Sequence, residues 1–245
     1  MSIAEKLQTI AENEQKVFES GKQAEYDRFW DTYQANGNRT DYSNAFAGVG
    51  WTSEIFKPKH DIKPINAYMM FRATQLNLDL VEHLEAMGVT LDFSQATNTQ
   101  YLFNNSQFTR IGIVDVRSST NSRPLDNTFA QCTNLVTIDK IYLKTGTQGE
   151  CANTFSGCTA LKNLSLEGEI KSNGFDIRYS TLLSKASITS IINALSTTTS
   201  GLTVTLSKTA VNNAFETNTG SADGSTSQEW LNLIATKSNW TISLV

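Results

Sequence analysis

Residue types that support catalysis are scarce in this 245-residue chain, which has three Cys, two His and only 18% charged residues. Neither His60 nor His83 lies near a Cys in the sequence, so the spacing of a zinc site is absent. The chain also lacks a phosphate-binding Gly-rich loop and the Gly-x-Ser-x-Gly turn of a serine hydrolase. We therefore expect no enzymatic activity, no catalytic residues, no metal and no cofactor.

Other absences limit the kinds of partner. The net charge of −4 argues against a nucleic-acid-binding protein, because phosphate binding relies on clustered Lys and Arg. No apolar run approaches the length of a membrane span, and the first residues lack the apolar core of a signal peptide. With three Pro in all, no proline-rich linker divides the chain. We expect no contact with nucleic acid and no insertion into a membrane.

What the chain does contain is an internal repeat. Residues 153–166 (NTFSGCTALKNLSL) and residues 127–138 (NTFAQCTNLVTI) match at Phe, Cys, Thr and Leu, with a constant offset of 26 residues. A weaker third copy begins at Phe103. A unit this short cannot close a core alone and buries its apolar side by stacking on the next unit. We expect the Phe residues of the three copies to stack inside the protein.

The cysteines follow the same repeat, because Cys132 and Cys158 occupy equivalent positions. A free Cys is most often a small buried residue, and that is the interpretation we favour here. A disulfide between Cys151 and Cys158, or a metal site, is the alternative.

The Phe-x-x-Cys-Thr-x-Leu-x-x-Ile/Leu pattern resembles the BspA-like leucine-rich repeats of bacterial surface proteins and of phages that infect gut bacteria. The segments 38–42 (NRTDY) and 46–51 (FAGVGW) resemble a stretch that accompanies such repeats in gut-phage proteins. The resemblance covers about residues 67–206. It implies an α/β leucine-rich-repeat solenoid, to which we add an N-terminal helix as a coiled-coil candidate and a helix–strand C-terminal cap.

Residues 2–34 are predicted to form one helix with a coiled-coil stripe. Apolar residues follow a 4–3 alternation if Glu14 and Gly21 are counted as its polar and small members. The apolar members are Ile3, Leu7, Ile10, Val17 and Ala24. Such a polar helix needs a partner that covers the stripe. We expect a homo-oligomer, with a trimer favoured, or attachment to other virion proteins; the alternative is a helix folded back on its own chain.

A second recurrence places Asp after an aliphatic residue at Asp92, Asp115 and Asp139, at intervals of 23 and 24 residues. Strands stacked in register would align these side chains in a column with a spacing of about 4.8 Å. A solvated alternation is the simplest interpretation, a stripe that binds cations or sugar hydroxyls is the second, and misregister is the third. Asp92, Asp115 and Asp139 are therefore the candidate ligand-binding residues.

The remaining patterns divide the chain into four regions. An amphipathic helix closed by Gly88 leads into a predicted strand over 89–93, and a helix over 188–195 has Ser184 or Ser187 as its cap. A strand at 202–206, a helix around Trp230 and a strand at 240–244 follow. The regions are the helix (1–35, oligomerisation or attachment), an irregular N-terminal cap (36–66), the repeats (67–206) and the C-terminal cap (207–245).

These features together predict a non-enzymatic phage virion protein of the tail-fibre or baseplate type. It would be made in the bacterial cytoplasm, located in the virion, and would display its repeat surface for binding to a glycan or protein of the host surface. A bacterial surface adhesin or protein-interaction module at the cell surface is one alternative. A purely structural virion decoration protein is another.

Overall fold

A computed structural model describes residues 39–53, 56–144, 151, 153–216 and 227–245, together with residues 6, 8–10, 12–18, 20, 21 and 24. The described residues between 6 and 24 are helical and exposed. The rest of the predicted helix over 2–34 lies outside the described residues. Within the described part of the chain, no helix is long and apolar enough to span a membrane.

The described residues from 39 onward include four helices and six strands. The helices are α1 (Leu80–Glu85), α2 (Lys185–Ala194), α3 (Lys208–Phe215) and α4 (Gln228–Ala235). The strands are β1 (Arg110–Asp115), β2 (Thr137–Tyr142), β3 (Asn163–Glu167), β4 (Phe175–Asp176), β5 (Leu202–Leu206) and β6 (Trp240–Leu244). They form two separate parallel sheets, ordered β1-β2-β3 and β4-β5-β6.

The core is built around five turns, which we call the aromatic turns, each centred on a buried Phe. These residues are Phe46, Phe71, Phe103, Phe129 and Phe155. Neighbouring rings lie 5.0 to 5.9 Å apart between centroids and within 17° of parallel. Parallel backbone hydrogen bonds join successive turns, such as that from the Phe103 N–H to the carbonyl of Thr128. The predicted stacking of the Phe residues of the three repeat copies is confirmed.

The aromatic turns have a common backbone conformation. The residues two before and two after each central Phe have positive φ, from Asn44 and Gly48 in the first turn to Asn153 and Gly157 in the last. Asn and Gly are the residues that adopt this left-handed conformation most readily. The paired left-handed residues turn the chain sharply on both sides of the Phe, which leaves the ring pointing into the core.

The predicted leucine-rich-repeat solenoid is nevertheless wrong: the described residues form a mixed α/β fold with two small sheets. The first sheet ends at β3 because α2 covers its edge. The Leu164 N–H donates to Ser187 Oγ at 2.9 Å and the Leu166 N–H donates to Ser190 Oγ at 2.8 Å. These are the backbone groups that a further strand would need, so β4 begins a new sheet.

The residues predicted to form a C-terminal cap do not form a unit separate from the second sheet. The predicted last strand, β6, pairs with β5 over its whole length, from Leu202↔Trp240 to Leu206↔Leu244. It is therefore a full member of the second sheet. The helices α3 and α4 contact each other through Phe215 and Trp230, whose ring centroids are 5.2 Å apart, and both contact α2.

Candidate functional site

The three aspartates predicted as ligand-binding residues each bind a neighbour of their own. Asp92 Oδ1 accepts the backbone N–H of Ser94 at 2.8 Å. Asp115 is buried and forms an ion pair with Arg117 at 2.6 Å. Asp139 forms two hydrogen bonds of 2.8 Å with the guanidinium of Arg110. The hydrogen bonds with Asp139 raise the pKa of Arg110. Ligand binding by Asp92, Asp115 and Asp139 stays a prediction.

Nor do these aspartates line up across the sheet. Asp115 on β1 is paired with Tyr142 on β2, whereas Asp139 lies between residues that pair with Ile111 and Ile113. The two aspartates are thus three residues out of register, which corresponds to about 10 Å along the strand. Asp92 lies outside the named strands, next to the bridge between Ile62 and Leu91. The structure does not bring the three carboxylates together.

A different surface combines concavity with a mixed set of polar groups. We call it the polar groove; it has a volume of about 640 Å³ and lies where the last aromatic turn meets the second sheet. Its side chains are amides, hydroxyls, one ion pair and one exposed aromatic ring. The lining residues are Asn153, Ser156, Asn173, Gly174, Asp176, Arg178, Tyr179, Thr203 and Thr205.

Strand β5 contributes two Thr side chains to the groove because of the alternation of side chains along a strand. Along β5, Thr203 and Thr205 alternate with the buried Val204, so both hydroxyl side chains lie on the same face of the sheet. Asp176 on β4 is paired with Thr205, which places the carboxylate beside that hydroxyl-bearing residue. Asn173 is held beside β5 because its side-chain oxygen accepts the Thr203 N–H at 2.8 Å.

An ion pair between Arg178 and Asp176 is part of the lining of the groove. Arg178 Nε donates to both carboxylate oxygens of Asp176, at 3.0 and 2.8 Å, and its terminal nitrogen lies 2.6 Å from Oδ2. The Arg178 N–H also donates to the same carboxylate, at 3.1 Å. The hydrogen bonds with Asp176 raise the pKa of Arg178. Asp176 and Arg178 are the charged residues of the described lining, so its formal charges of opposite sign cancel.

Tyr179 gives the groove its only aromatic ring among the described lining residues. Its side chain is 52% exposed, although it follows directly after the fixed Arg178. A Tyr ring offers an apolar face and a polar hydroxyl, and an exposed one beside a concave polar surface is typical of a contact residue. The groove can thus present a flat apolar surface and several hydrogen-bonding groups to one ligand.

The cysteines do not contribute a reactive group. All three are free and buried, so the predicted alternative of a disulfide between Cys151 and Cys158 is not observed. The Cys132 and Cys158 thiols donate to the carbonyls of Phe103 and Phe129, at 2.9 and 3.0 Å. Burial raises the pKa of Cys132 to about 11 and that of Cys151 to about 12. Thiols of such high pKa are poor nucleophiles.

Within the described residues, no group of three or more His, Cys, Asp or Glu side chains is placed to hold a metal ion. Comparison of the chain with protein-family models, with curated proteins and with solved structures found no match. The local geometry of the groove is thus the basis for a functional assignment.

The sequence contained a signal for the groove that our sequence analysis missed. Asp115-Val116-Arg117 and Asp176-Ile177-Arg178 are the same motif, and in both the Arg folds back onto the Asp two residues earlier. The alternation of Thr with apolar residues in β5 was recognised as a strand, but its two Thr were not recognised as an exposed row. What joins these features is the pairing of β4 with β5, which depends on residues about 30 positions apart.

Proposed function

We propose that the protein is a non-enzymatic binding protein whose polar groove takes an uncharged, hydroxyl-rich ligand, such as a glycan of a bacterial surface. The observation that carries this proposal is the exposed Tyr179 beside amides, hydroxyls and a neutralised ion pair. A sugar ring has an apolar C–H face and a rim of hydroxyl groups. The face matches the Tyr ring, and the rim matches side chains that both donate and accept hydrogen bonds.

The opposite formal charges of Asp176 and Arg178 cancel in the described lining, which supports the choice of an uncharged ligand. Arg178 is the one cationic group of the described lining, and its Nε and one terminal nitrogen already engage Asp176. An anionic ligand would have to compete with that bidentate pair, which is among the stronger hydrogen-bonded arrangements in proteins. A hydroxyl group can instead add a bond to the free lone pairs of the carboxylate without displacing the arginine.

We extend the proposal to the biological setting that the sequence predicts: a phage virion protein of the tail-fibre or baseplate type, which binds the surface of its bacterial host. Binding by one shallow groove is weak, and several linked copies strengthen it by raising the effective concentration of the remaining sites. A bacterial surface adhesin would use the same groove. Neighbouring genes for tail, baseplate or capsid proteins support the virion, whereas a neighbouring export system or cell-wall anchor supports the adhesin.

Saturation-transfer NMR with neutral hexoses and with purified polysaccharide from Gram-negative and Gram-positive envelopes tests the groove. We expect the wild-type chain to bind at least one of these probes. Replacing Tyr179 with Ala should weaken binding about tenfold, equivalent to about 1.4 kcal/mol, because the stacking surface is lost. Replacing Tyr179 with Phe should keep most of the affinity.

Leu182 provides the matched control, since it is similarly exposed in the neighbouring turn but does not line the groove. We expect Leu182→Ala to bind like the wild type. The proposal fails if no envelope polysaccharide or hexose binds, or if Tyr179→Ala binds as tightly as Leu182→Ala.

A further inference from the structure

The fold covers or shortens most of its strand edges. On the outer edge of β3, the serine hydroxyls of α2 take the backbone N–H groups of Leu164 and Leu166. Outside β1, Arg110 forms a bridge with Asp79, and a Cβ at Gly112 would lie only 3.1 Å from the Val81 side chain of α1. The edge strand β4 is two residues long. Natural proteins protect sheet edges in these ways because a bare edge pairs with other chains.

The outer edge of β6 is different. The Val245 N–H donates to the Leu206 carbonyl, and the Val245 carbonyl accepts the Lys208 N–H. Backbone bonds of a parallel strand alternate in direction, so residues 241, 243 and 245 face β5 while Ile242 and Leu244 face outward. None of the described residues bonds the outward N–H and carbonyl groups of Ile242 and Leu244.

The side chains of this segment do not discourage pairing. Residues 240–245 (WTISLV) contain no charged residue, no Pro and no Gly, and they are rich in residues with high strand propensity. Charged side chains, Pro and bulges are the usual devices that keep an exposed edge from pairing. The strand is also fully paired on its inner side, so its conformation is already set for a partner strand.

We propose that β6 pairs with β6 of a second copy of this chain, antiparallel and about a two-fold axis at Ser243. In this register Ile242 of each copy lies opposite Leu244 of the other. Each such pair exchanges two backbone hydrogen bonds, so the outward N–H and carbonyl groups of Ile242 and Leu244 in each copy are all satisfied. The second sheets of the two copies then join into one sheet of six strands. The interface is isologous, as a closed dimer requires.

The absence of charge is what favours a second copy over an unrelated strand. A two-fold axis places Ser243 opposite itself, and it places Thr241 opposite Val245 of the other copy. Any charged residue at the axis would face its own like charge, which is destabilising in a cross-strand pair. A strand that pairs with a different protein has no such restriction, because none of its residues faces its own copy.

The test uses the whole 245-residue chain and places a charge at the two-fold axis. In Ser243→Lys, two ammonium groups meet across the axis, whereas Ser243→Gln adds a neutral side chain of similar length. Light scattering coupled to size-exclusion chromatography should give a mass for Ser243→Lys that is half that of the wild type, and Ser243→Gln should keep the wild-type mass. Equal masses for the wild type and Ser243→Lys overturn the proposal.

Amide hydrogen exchange on the unmodified chain gives a second, independent readout. Pairing protects the Ile242 and Leu244 amides, and dilution below the dissociation constant should remove that protection while leaving the inward Thr241 and Ser243 amides protected. If the Ile242 and Leu244 amides exchange as fast as those of an unstructured peptide at every concentration, the edge is free in solution and the proposal is wrong.

Discussion

At the scale of single residues, the aromatic turns show how far sequence reasoning reaches. The Phe stack could be predicted because Phe103, Phe129 and Phe155 recur at a constant interval with apolar neighbours. The left-handed backbone around them could be inferred for Asn127 and Asn153, since Asn adopts that conformation readily. It could not be inferred for Met69, Ala73 and Tyr101, which also have positive φ. There the hydrogen bonds between turns override the residue's own preference.

Phe129 is the central test of the stack, because its ring lies between those of Phe103 and Phe155, 5.9 and 5.6 Å away. Replacing Phe129 with Ala removes a fully buried ring and leaves a cavity. We expect the free energy of unfolding to fall by about 3–5 kcal/mol, measured by urea denaturation. Val136→Ala, at a position 39% exposed, should change it by no more than about 0.5 kcal/mol. If both variants lose a similarly small amount of unfolding free energy, the Phe stack does not stabilise the fold as we expect.

Asp61 gives the fold a specific sensitivity to acid. Its carboxylate accepts the Thr90 N–H at 2.9 Å and lies 3.0 Å from Lys63, and the hydrogen bonds from Thr90 contribute most to lowering its pKa to about 2. The folded protein therefore favours the ionised form. This stabilisation is complete above the unfolded pKa of 3.8 and is lost as the pH falls towards 2.

Thermal unfolding between pH 5 and pH 2 measures this contribution. We expect the melting temperature of the wild type to fall more steeply over this range than that of Asp61→Asn, which has no carboxyl group to protonate. Parallel curves for the two proteins would show that Asp61 has the same pKa in the folded and unfolded chains.

At the scale of elements, the predicted helices and strands were correct where the pattern was strong. The helix predicted over 188–195 is α2, with Ser184 as its cap through a bond from the Ser187 N–H, and β5 and β6 have the expected bounds within one residue. The strand predicted over 89–93 is wrong, because only Leu91 forms a bridge. The helix α3 was missed, since it is short and turns few apolar side chains inward.

The junction between β3 and α2 limits the first sheet and was not visible in the sequence. Ser187 Oγ accepts the Leu164 N–H and donates to the Lys162 carbonyl at 3.0 Å, so one hydroxyl replaces the two backbone groups of a neighbouring strand. The spacing that predicted the helix concerned its apolar residues. Nothing in that spacing revealed that its serines would end a sheet, which is why a continuous repeat structure was predicted.

Removing this hydroxyl tests its role. In Ser187→Ala the Leu164 N–H is left without its partner, and a buried unsatisfied donor costs about 1–3 kcal/mol. We expect chemical denaturation to show a loss of that size, together with faster amide exchange at Leu164. Thr189→Ala, in the same helix but without a bond to β3 among the described contacts, should change the stability by about 0.5 kcal/mol or less. Slow exchange at Leu164 in Ser187→Ala would refute the assigned role.

At the scale of the whole molecule, the position of the candidate site could not be predicted from the sequence. Composition indicated binding rather than catalysis, but the groove arises where β4 pairs with β5 and where the last aromatic turn approaches them. The three Asp do not form a column because the pairing of β1 with β2 places Asp115 opposite Tyr142 and not opposite Asp139, and because Asp92 lies outside the named strands. Spacing along the chain does not reveal this register.

The predicted coiled-coil stripe of the N-terminal segment can be tested through the mass of the assembly. Ile10, Val17 and Phe18 are exposed, and Ile10 and Val17 lie seven residues apart on the predicted coiled-coil stripe. If the stripe forms a trimer, Val17→Glu buries a charge at the seam, and light scattering should show the mass falling threefold. Lys16→Gln makes the same change in net charge away from the stripe and should leave the mass unchanged.

The threefold change is distinguishable from the twofold change expected for Ser243→Lys, so the two interfaces are tested separately. A Val17→Glu protein with the wild-type mass would show that the stripe does not hold copies together.

The backbone bonds between aromatic turns run from each turn only to the next one along the chain. When the molecule is pulled by its two ends, these bonds are therefore loaded in succession and not all at once. Each turn can detach while the turns behind it keep their rings stacked. Pulled in this way, the chain would lengthen in small increments, one turn at a time.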